Sequence, residues 1–271
     1  MEHQTVEHSS PSLYGDSGMI QKQMEELQSL SLSSFKKVLF IQPHPDDNEV
    51  GAGATVAKLA AHGVEVHYAT VTDGSLGTLD PEITPEELIS CRRREHEESG
   101  RFLGASVFHW LGFPDGELYD APSLREALVR LIREVRPDLL FTVDPWNPYE
   151  AHFDHLYTGK AVAYAAIIAA FPLAFPEHLR RGVMPHVPRY VAFYSSSRSN
   201  HIEDVSSYWD RKMKAISLHQ SQFQGEELLF VQQYLTLKGI EWGRKIGASY
   251  GEGFKILTPQ MLHMNVDAER M

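Results

Sequence analysis

The chain of 271 residues sets 25 lysines and arginines against 36 aspartates and glutamates, a formal charge of −11. That balance argues against the basic face that nucleic acid requires and against docking on anionic membranes, and leaves a small neutral or cationic substrate as the better fit. The hydrophobic fraction of 42% supports a substantial core, and the single cysteine, Cys91, excludes an intrachain disulfide or a thiolate zinc cage.

Residues 1–35 are polar and Ser-rich, with a weakly helical patch around Gln21 to Leu30, and read as an N-terminal arm. They lack the basic start and apolar stretch of a secretory signal. From Val38 the pattern becomes regular. Val38–Ile41 is a continuous apolar run, as in a strand covered on both faces. Gly51-Ala52-Gly53-Ala54 opens a helix that stops at Gly63, and Val64–Val71 is the next strand. A charged helix follows from about Thr84 to Phe102, with Pro85, Glu86 and Glu87 in its first turn, where the dipole favours acid and the start favours proline. Val107–Leu111 reads as a strand, Ser123–Glu134 as a helix, Leu139–Val143 as a strand and Asp154 to Ala170 as an Ala-rich helix. A further strand is expected at Arg189–Tyr194, and helices at Ser207–Leu218 and Leu228–Lys245. Strands alternating with helices predict an α/β, Rossmann-like fold, a mostly parallel sheet with helices on both faces, in one domain over 36–271. The longest apolar run, Ala161 to Phe171, stops at Pro172 and is too short to span a bilayer, so a cytoplasmic protein is expected.

The first strand runs straight into Pro43-His44-Pro45-Asp46-Asp47, and a second cluster, His152-Phe153-Asp154-His155, follows the fourth strand. Strand ends are where α/β folds place their chemistry. His44 and Asp47 stand three apart in a tight turn and can converge on one ion, with His155 as a third ligand. Two imidazoles and a carboxylate form a catalytic zinc set with open positions, and the absence of thiolates leaves no other kind. Asp46 diverges from its neighbour Asp47 and is free to act as general base towards the attacking water. His152 is available to hold the oxyanion or protonate the leaving amine, and Asp154 to fix an imidazole tautomer. Helix capping or an Asx turn would account for Asp46 or Asp47 alone, but not for both clusters together. Gly51-x-Gly53 lacks the third glycine of a dinucleotide loop.

These residues resemble the PIG-L/LmbE-like family of zinc-dependent N-acetylglucosaminyl deacetylases, most closely its diacetylchitobiose deacetylase branch. The likeness extends to Val71-Thr72-Asp73-Gly74, Arg92-Arg93-Arg94-Glu95, Leu111 to Gly116, Asp144-Pro145-Trp146, Pro148-Tyr149-Glu150, Ser221-Gln222-Phe223 and Tyr250 to Phe254. It implies one zinc per subunit on His44, Asp47 and His155, Asp46 as base, His152 for the oxyanion or as acid, and Arg92 and Asp115 on sugar hydroxyls. It further implies removal of the N-acetyl group from diacetylchitobiose or N-acetylglucosamine, a place in chitin breakdown, and a homohexamer of paired trimers. Another N-acetylglucosamine conjugate as substrate, or a metal-binding module without catalysis, are the alternatives. Two departures stand out: Asn48 occupies the place where the family motif has glutamate, with Glu49 one later, and Phe153 replaces a proline. Most remaining histidines read as surface or packing residues. His219 is a candidate for the pocket or an interface, and His263 for a neighbouring subunit's site.

Overall fold

The computed structural model describes residues 25–27, 30–118 and 121–271. The proposed arm therefore lies mostly outside the described residues. Of its helical patch, 25–27 are helical, with Leu27 buried.

Strand β1 (Lys37–Gln42) is central because its side chains allow nothing else: Val38, Leu39, Phe40 and Ile41 are all 0% exposed. It pairs in parallel with β2 (Glu65–Thr72) on one side and β4 (Leu139–Val143) on the other. β3 (Val107–Phe113) lies beyond β2, and β5 (Tyr190–Tyr194) beyond β4. The rings of Phe40 and Phe141 stack across the β1–β4 seam at 4.2 Å.

Helices α1 (Asp47–Ala61), α2 (Pro85–Leu103), α3 (Pro122–Val135) and α4 (Phe153–Ile168) connect or cover these strands. α2 begins as its sequence demands: Thr84 and Glu87 form a capping box, Pro85 opens the first turn, and Gly104 ends the helix in the left-handed region. α1 starts four residues before the expected Gly51. Its first turn, Asp47 to Gly51, is set off from the rest by a non-helical Ala52 (φ −148°, ψ 16°). Gly51 is required there, because a Cβ would lie 2.3 Å from the Tyr194 ring.

The sheet continues past β5 with two strands that the apolar pattern does not reveal. β7 (Gly251–Leu257) pairs antiparallel with β5, and β6 (His201–Asp204) antiparallel with β7, giving the order β3-β2-β1-β4-β5-β7-β6. The short helices α5 (Pro176–Arg180) and α8 (Met261–Met264) were also unmarked, whereas α6 (Trp209–Ile216) and α7 (Gly225–Ile246) fall where expected. No helix among the described residues is long and apolar enough to cross a membrane. The connections from β1 and β4 depart to opposite sides of the sheet, opening a crevice at their carboxyl ends.

Candidate active site

Both histidine clusters sit at that crevice. Beyond β1 the turn is tied down from β2, where the backbone N–H and hydroxyl of Thr72 donate to Pro43 O at 3.0 and 2.9 Å. Gln42 Oε1 accepts from the Asn48 N–H at 2.9 Å, and Asp47 Oδ2 from the His44 N–H at 2.8 Å. Asp46, between them, is held at φ 151°, a conformation that costs an L-residue about 1–3 kcal/mol and persists only where its surroundings enforce it. It makes no capping hydrogen bond to α1. Its Oδ2 instead accepts from Arg92 Nη2 at 3.3 Å.

The turn brings His44 Nδ1 to 3.4 Å from Asp47 Oδ2, and α4 brings His155 Nε2 to 3.4 Å from Asp47 Oδ1. One donor atom from each of the three lies within 4.8 Å of the others. The second nitrogen of each imidazole rests on a carboxylate. His44 Nε2 is 3.1 Å from Asp154 Oδ2 and 3.1 Å from Asp115 Oδ1; His155 Nδ1 is 3.2 Å from Glu150 Oε2. The donor set and its outer support fit a divalent metal ion such as zinc. His44, His152 and Asp154 also cluster, but Asp154 is fully buried and already accepts the N–H groups of Gly116 (2.8 Å) and Leu118 (3.2 Å). It is therefore better placed to orient His44 than to bind a metal itself.

The electrostatics agree. Burial would lower the His44 pKa, but the hydrogen bonds to Asp115, Asp154 and Asp47 overturn that and raise it to about 12. So many carboxylates around one imidazole make a setting for positive charge. Asp46 is pushed up to about 6 by burial, with Arg92 opposing the rise. His152 is pulled below its ordinary value by burial and by the neighbouring His44 and His155. Its Nδ1 accepts from the Asp154 N–H at 3.3 Å, so the neutral ring carries its proton on Nε2 and can donate from there.

Asp46, Arg92, Asp115 and His152 line one cavity of about 280 Å3 together with His44, Leu76, Gly77, Gly116 and Gln222. A larger cavity, of about 460 Å3 between α7 and β7, has no imidazole in its wall. The structure thus brings His44, Asp46, Arg92, Asp115 and His152 into one wall, with Asp47, Asp154 and His155 packed against His44. Arg92 and Asp115, expected on sugar hydroxyls, have protein partners as well: Arg92 Nη1 donates to Gly74 O at 3.0 Å, and Asp115 Oδ2 accepts from the Leu76 N–H at 3.0 Å. His219 does not line the cavity; it is buried behind it, beside Glu49. Asn48 is also fully buried, and its Oδ1 accepts from the Tyr194 hydroxyl at 3.3 Å. Sequence reasoning missed Glu150 as the partner of His155. An acidic residue shortly before a His-x-x-His pair was the available signal.

Comparison with known proteins converges on the same chemistry. Residues 39–166 match the family model described as PIG-L, GlcNAc-PI de-N-acetylase. A diacetylchitobiose deacetylase from Thermococcus kodakarensis is 36% identical over 229 residues, 84% of this chain and 86% of that one. A probable N-acetyl-α-D-glucosaminyl L-malate deacetylase from Bacillus anthracis is 27% identical, over 76% of this chain and 91% of that one. The solved N,N'-diacetylchitobiose deacetylase from Pyrococcus horikoshii superposes with a TM-score of 0.87 at 35% identity, covering 95% of this chain and 98% of that one. The chain belongs to the PIG-L family of deacetylases, on its diacetylchitobiose deacetylase branch.

Proposed function

We propose that this chain hydrolyses the acetamide of an N-acetylglucosamine unit in small chitooligosaccharides, diacetylchitobiose first among them, releasing acetate and a free amine. The observation that carries the reading is the convergence of His44, Asp47 and His155 beside a buried Asp46, which lines the cavity with His44. The high identity to diacetylchitobiose deacetylases along most of both chains supports the substrate.

Held by His44, Asp47 and His155, a zinc ion would polarise the acetamide carbonyl and lower the pKa of water towards neutrality. Asp46 takes the proton of the attacking water, and its raised pKa brings it closer to neutral pH, where a general base works best. Arg92 holds Asp46 in line through Nη2. The Nε2–H of His152 donates to the oxygen that gains charge as the carbonyl carbon becomes tetrahedral. As the C–N bond breaks, the proton on Asp46 passes to the nitrogen, which leaves as the amine. Asp154 and Glu150 fix the rings of His44 and His155. Arg92 and Asp115 face sugar hydroxyls with the donors and lone pairs their protein partners leave free.

The same reading takes 36–271 as one deacetylase domain behind an N-terminal arm, working in the cytoplasm. It also takes six chains to assemble as paired trimers, consistent with the exposed apolar residues Leu229, Phe230, Tyr234 and Leu237 on α7. Limited proteolysis and light scattering test these two points. The relative that acts on an N-acetylglucosaminyl malate favours a second reading, a conjugate as substrate. Acetate release compared across diacetylchitobiose, N-acetylglucosamine and N-acetylglucosaminyl malate decides between them: the proposal requires the chitobiose to be turned over with the highest kcat/KM.

A further inference from the structure

Behind the catalytic turn, α1, α2 and the segment following α6 bring Glu49, His96 and His219 together at 0%, 1% and 0% exposure. One donor atom from each lies within 4.8 Å of the others. They do not bond one another. Glu49 Oε2 is 3.8 Å from His219 Nε2, and Glu49 Oε1 is 3.9 Å from His96 Nδ1, both beyond hydrogen-bond length. Among the described residues, Glu49 Oε2 and both ring nitrogens of His219 have no hydrogen-bond partner. Buried polar atoms are seldom left bare, and a carboxylate facing two imidazoles across a gap calls for an occupant.

We infer that this gap is a second divalent-cation site, buried away from the cavity, ligated by Glu49 Oε2, His96 Nδ1 and His219 Nε2. It shares no residue with the set His44, Asp47 and His155. Spacing favours an ion over a water molecule. Donors about 2.1 Å from a tetrahedral ion stand about 3.4 Å apart, whereas donors about 2.8 Å from a bridging water stand about 4.6 Å apart. The observed 3.8 Å between Glu49 Oε2 and His219 Nε2 lies nearer the first. Two imidazoles and a carboxylate suit zinc among the common metals. Outer support is present too. Thr70 Oγ1 and Gln42 Nε2 lie 3.3 and 3.1 Å from His96 Nε2, Gln42 Nε2 standing also 3.3 Å from Nδ1, the nitrogen that faces Glu49, and Ser99 Oγ donates to Glu49 Oε1 at 3.2 Å, leaving Oε2. An ion here would pin α1, the helix that begins at the catalytic Asp47, to α2, the helix that carries Arg92.

The test is metal content, which does not depend on the enzyme being a deacetylase. Full-length protein is equilibrated with zinc, passed through gel filtration and analysed by plasma mass spectrometry, with circular dichroism as the check on folding. The wild type should hold two ions per chain and His155→Ala one, because only the catalytic set is damaged. Adding His219→Gln, or His96→Gln should that double variant fail to fold, should remove the remaining ion. A folded His155→Ala chain without zinc overturns the inference, and so does a folded double variant that keeps its ion.

Discussion

Asp154→Asn probes the support of the metal set with little change of shape. Asp154 is fully buried and holds three donors at once: the N–H groups of Gly116 and Leu118 at 2.8 and 3.2 Å, and His44 Nε2 at 3.1 Å. Gly116 and His44 share Oδ2, and Leu118 takes Oδ1. An asparagine that keeps its oxygen in the Oδ2 place turns its NH2 against the Leu118 N–H; the opposite flip sacrifices the other two bonds. Leaving a buried N–H unpaired costs about 1–3 kcal/mol of stability. The bond to His44 survives the better flip but loses the charge that makes such bonds roughly twice as strong. Losing support of this kind weakens metal binding by about 10–100-fold, or ~1.4–2.7 kcal/mol. Zinc affinity by competition with a chromogenic chelator reads that loss, and a thermal melt reads the stability. Glu150→Gln gives the internal control: its side chain is 23% exposed, so water replaces part of what is lost and the drop should be smaller. Zinc affinity unchanged within twofold in Asp154→Asn would refute the assignment of His44 as a ligand oriented by Asp154.

Three further outcomes follow from the same geometry. Asp46→Asn should retain its zinc, measured by metal analysis, while kcat falls by about 10²–10⁴-fold, the contribution of a positioned general base. Gly77→Ala places a Cβ 2.3 Å from Arg92 Nη1 and 2.8 Å from Gln222 Oε1. It should displace Arg92 from Asp46 and lower kcat/KM by about 10²-fold, the cost of a shift of about 1 Å at a catalytic group, with a nearly unchanged melting temperature. Lys212→Met strands Glu252, which bonds Lys212 Nζ at 2.6 Å and also accepts the N–H groups of Ala54 and Thr55. Removing one partner of a buried pair costs about 3–5 kcal/mol, read by urea unfolding, and a loss under 1 kcal/mol would contradict the role of Glu252 in tying α1 to β7.

The parts legible in the sequence were those where burial writes an apolar pattern. β1 and β4 are buried on both faces, so Val38–Ile41 and Leu139–Val143 read as strands without ambiguity. β7 is equally buried, but it contains Glu252 and Lys255. Their charges are answered by Lys212 and by the carbonyls of Glu269 and Met271, partners that no local pattern reveals. β6 is four residues long, with three of them polar or charged. The proposed ligand set could be named from the sequence because both clusters follow apolar strands. The partners that orient it were less so. Glu150 sits in a loop without periodicity, and Asp115 meets His44 only because the loop after β3 reaches past the end of β2, where the Asp115 N–H donates to Asp73, to β1's turn. The shift from glutamate to asparagine at position 48 became intelligible only in three dimensions: Asn48 ties the turn to Gln42 and Tyr194, and Glu49 points into the buried histidine cluster.

The central claim is hydrolysis of an N-acetyl group by the site of His44, Asp47, His155 and Asp46, and acetate release from diacetylchitobiose by the zinc-loaded chain tests it most directly. One acetate should appear for each free amine formed, and chelation of the metal should abolish both. Zinc-loaded, folded protein that releases no acetate from diacetylchitobiose or any other N-acetyl sugar would contradict it.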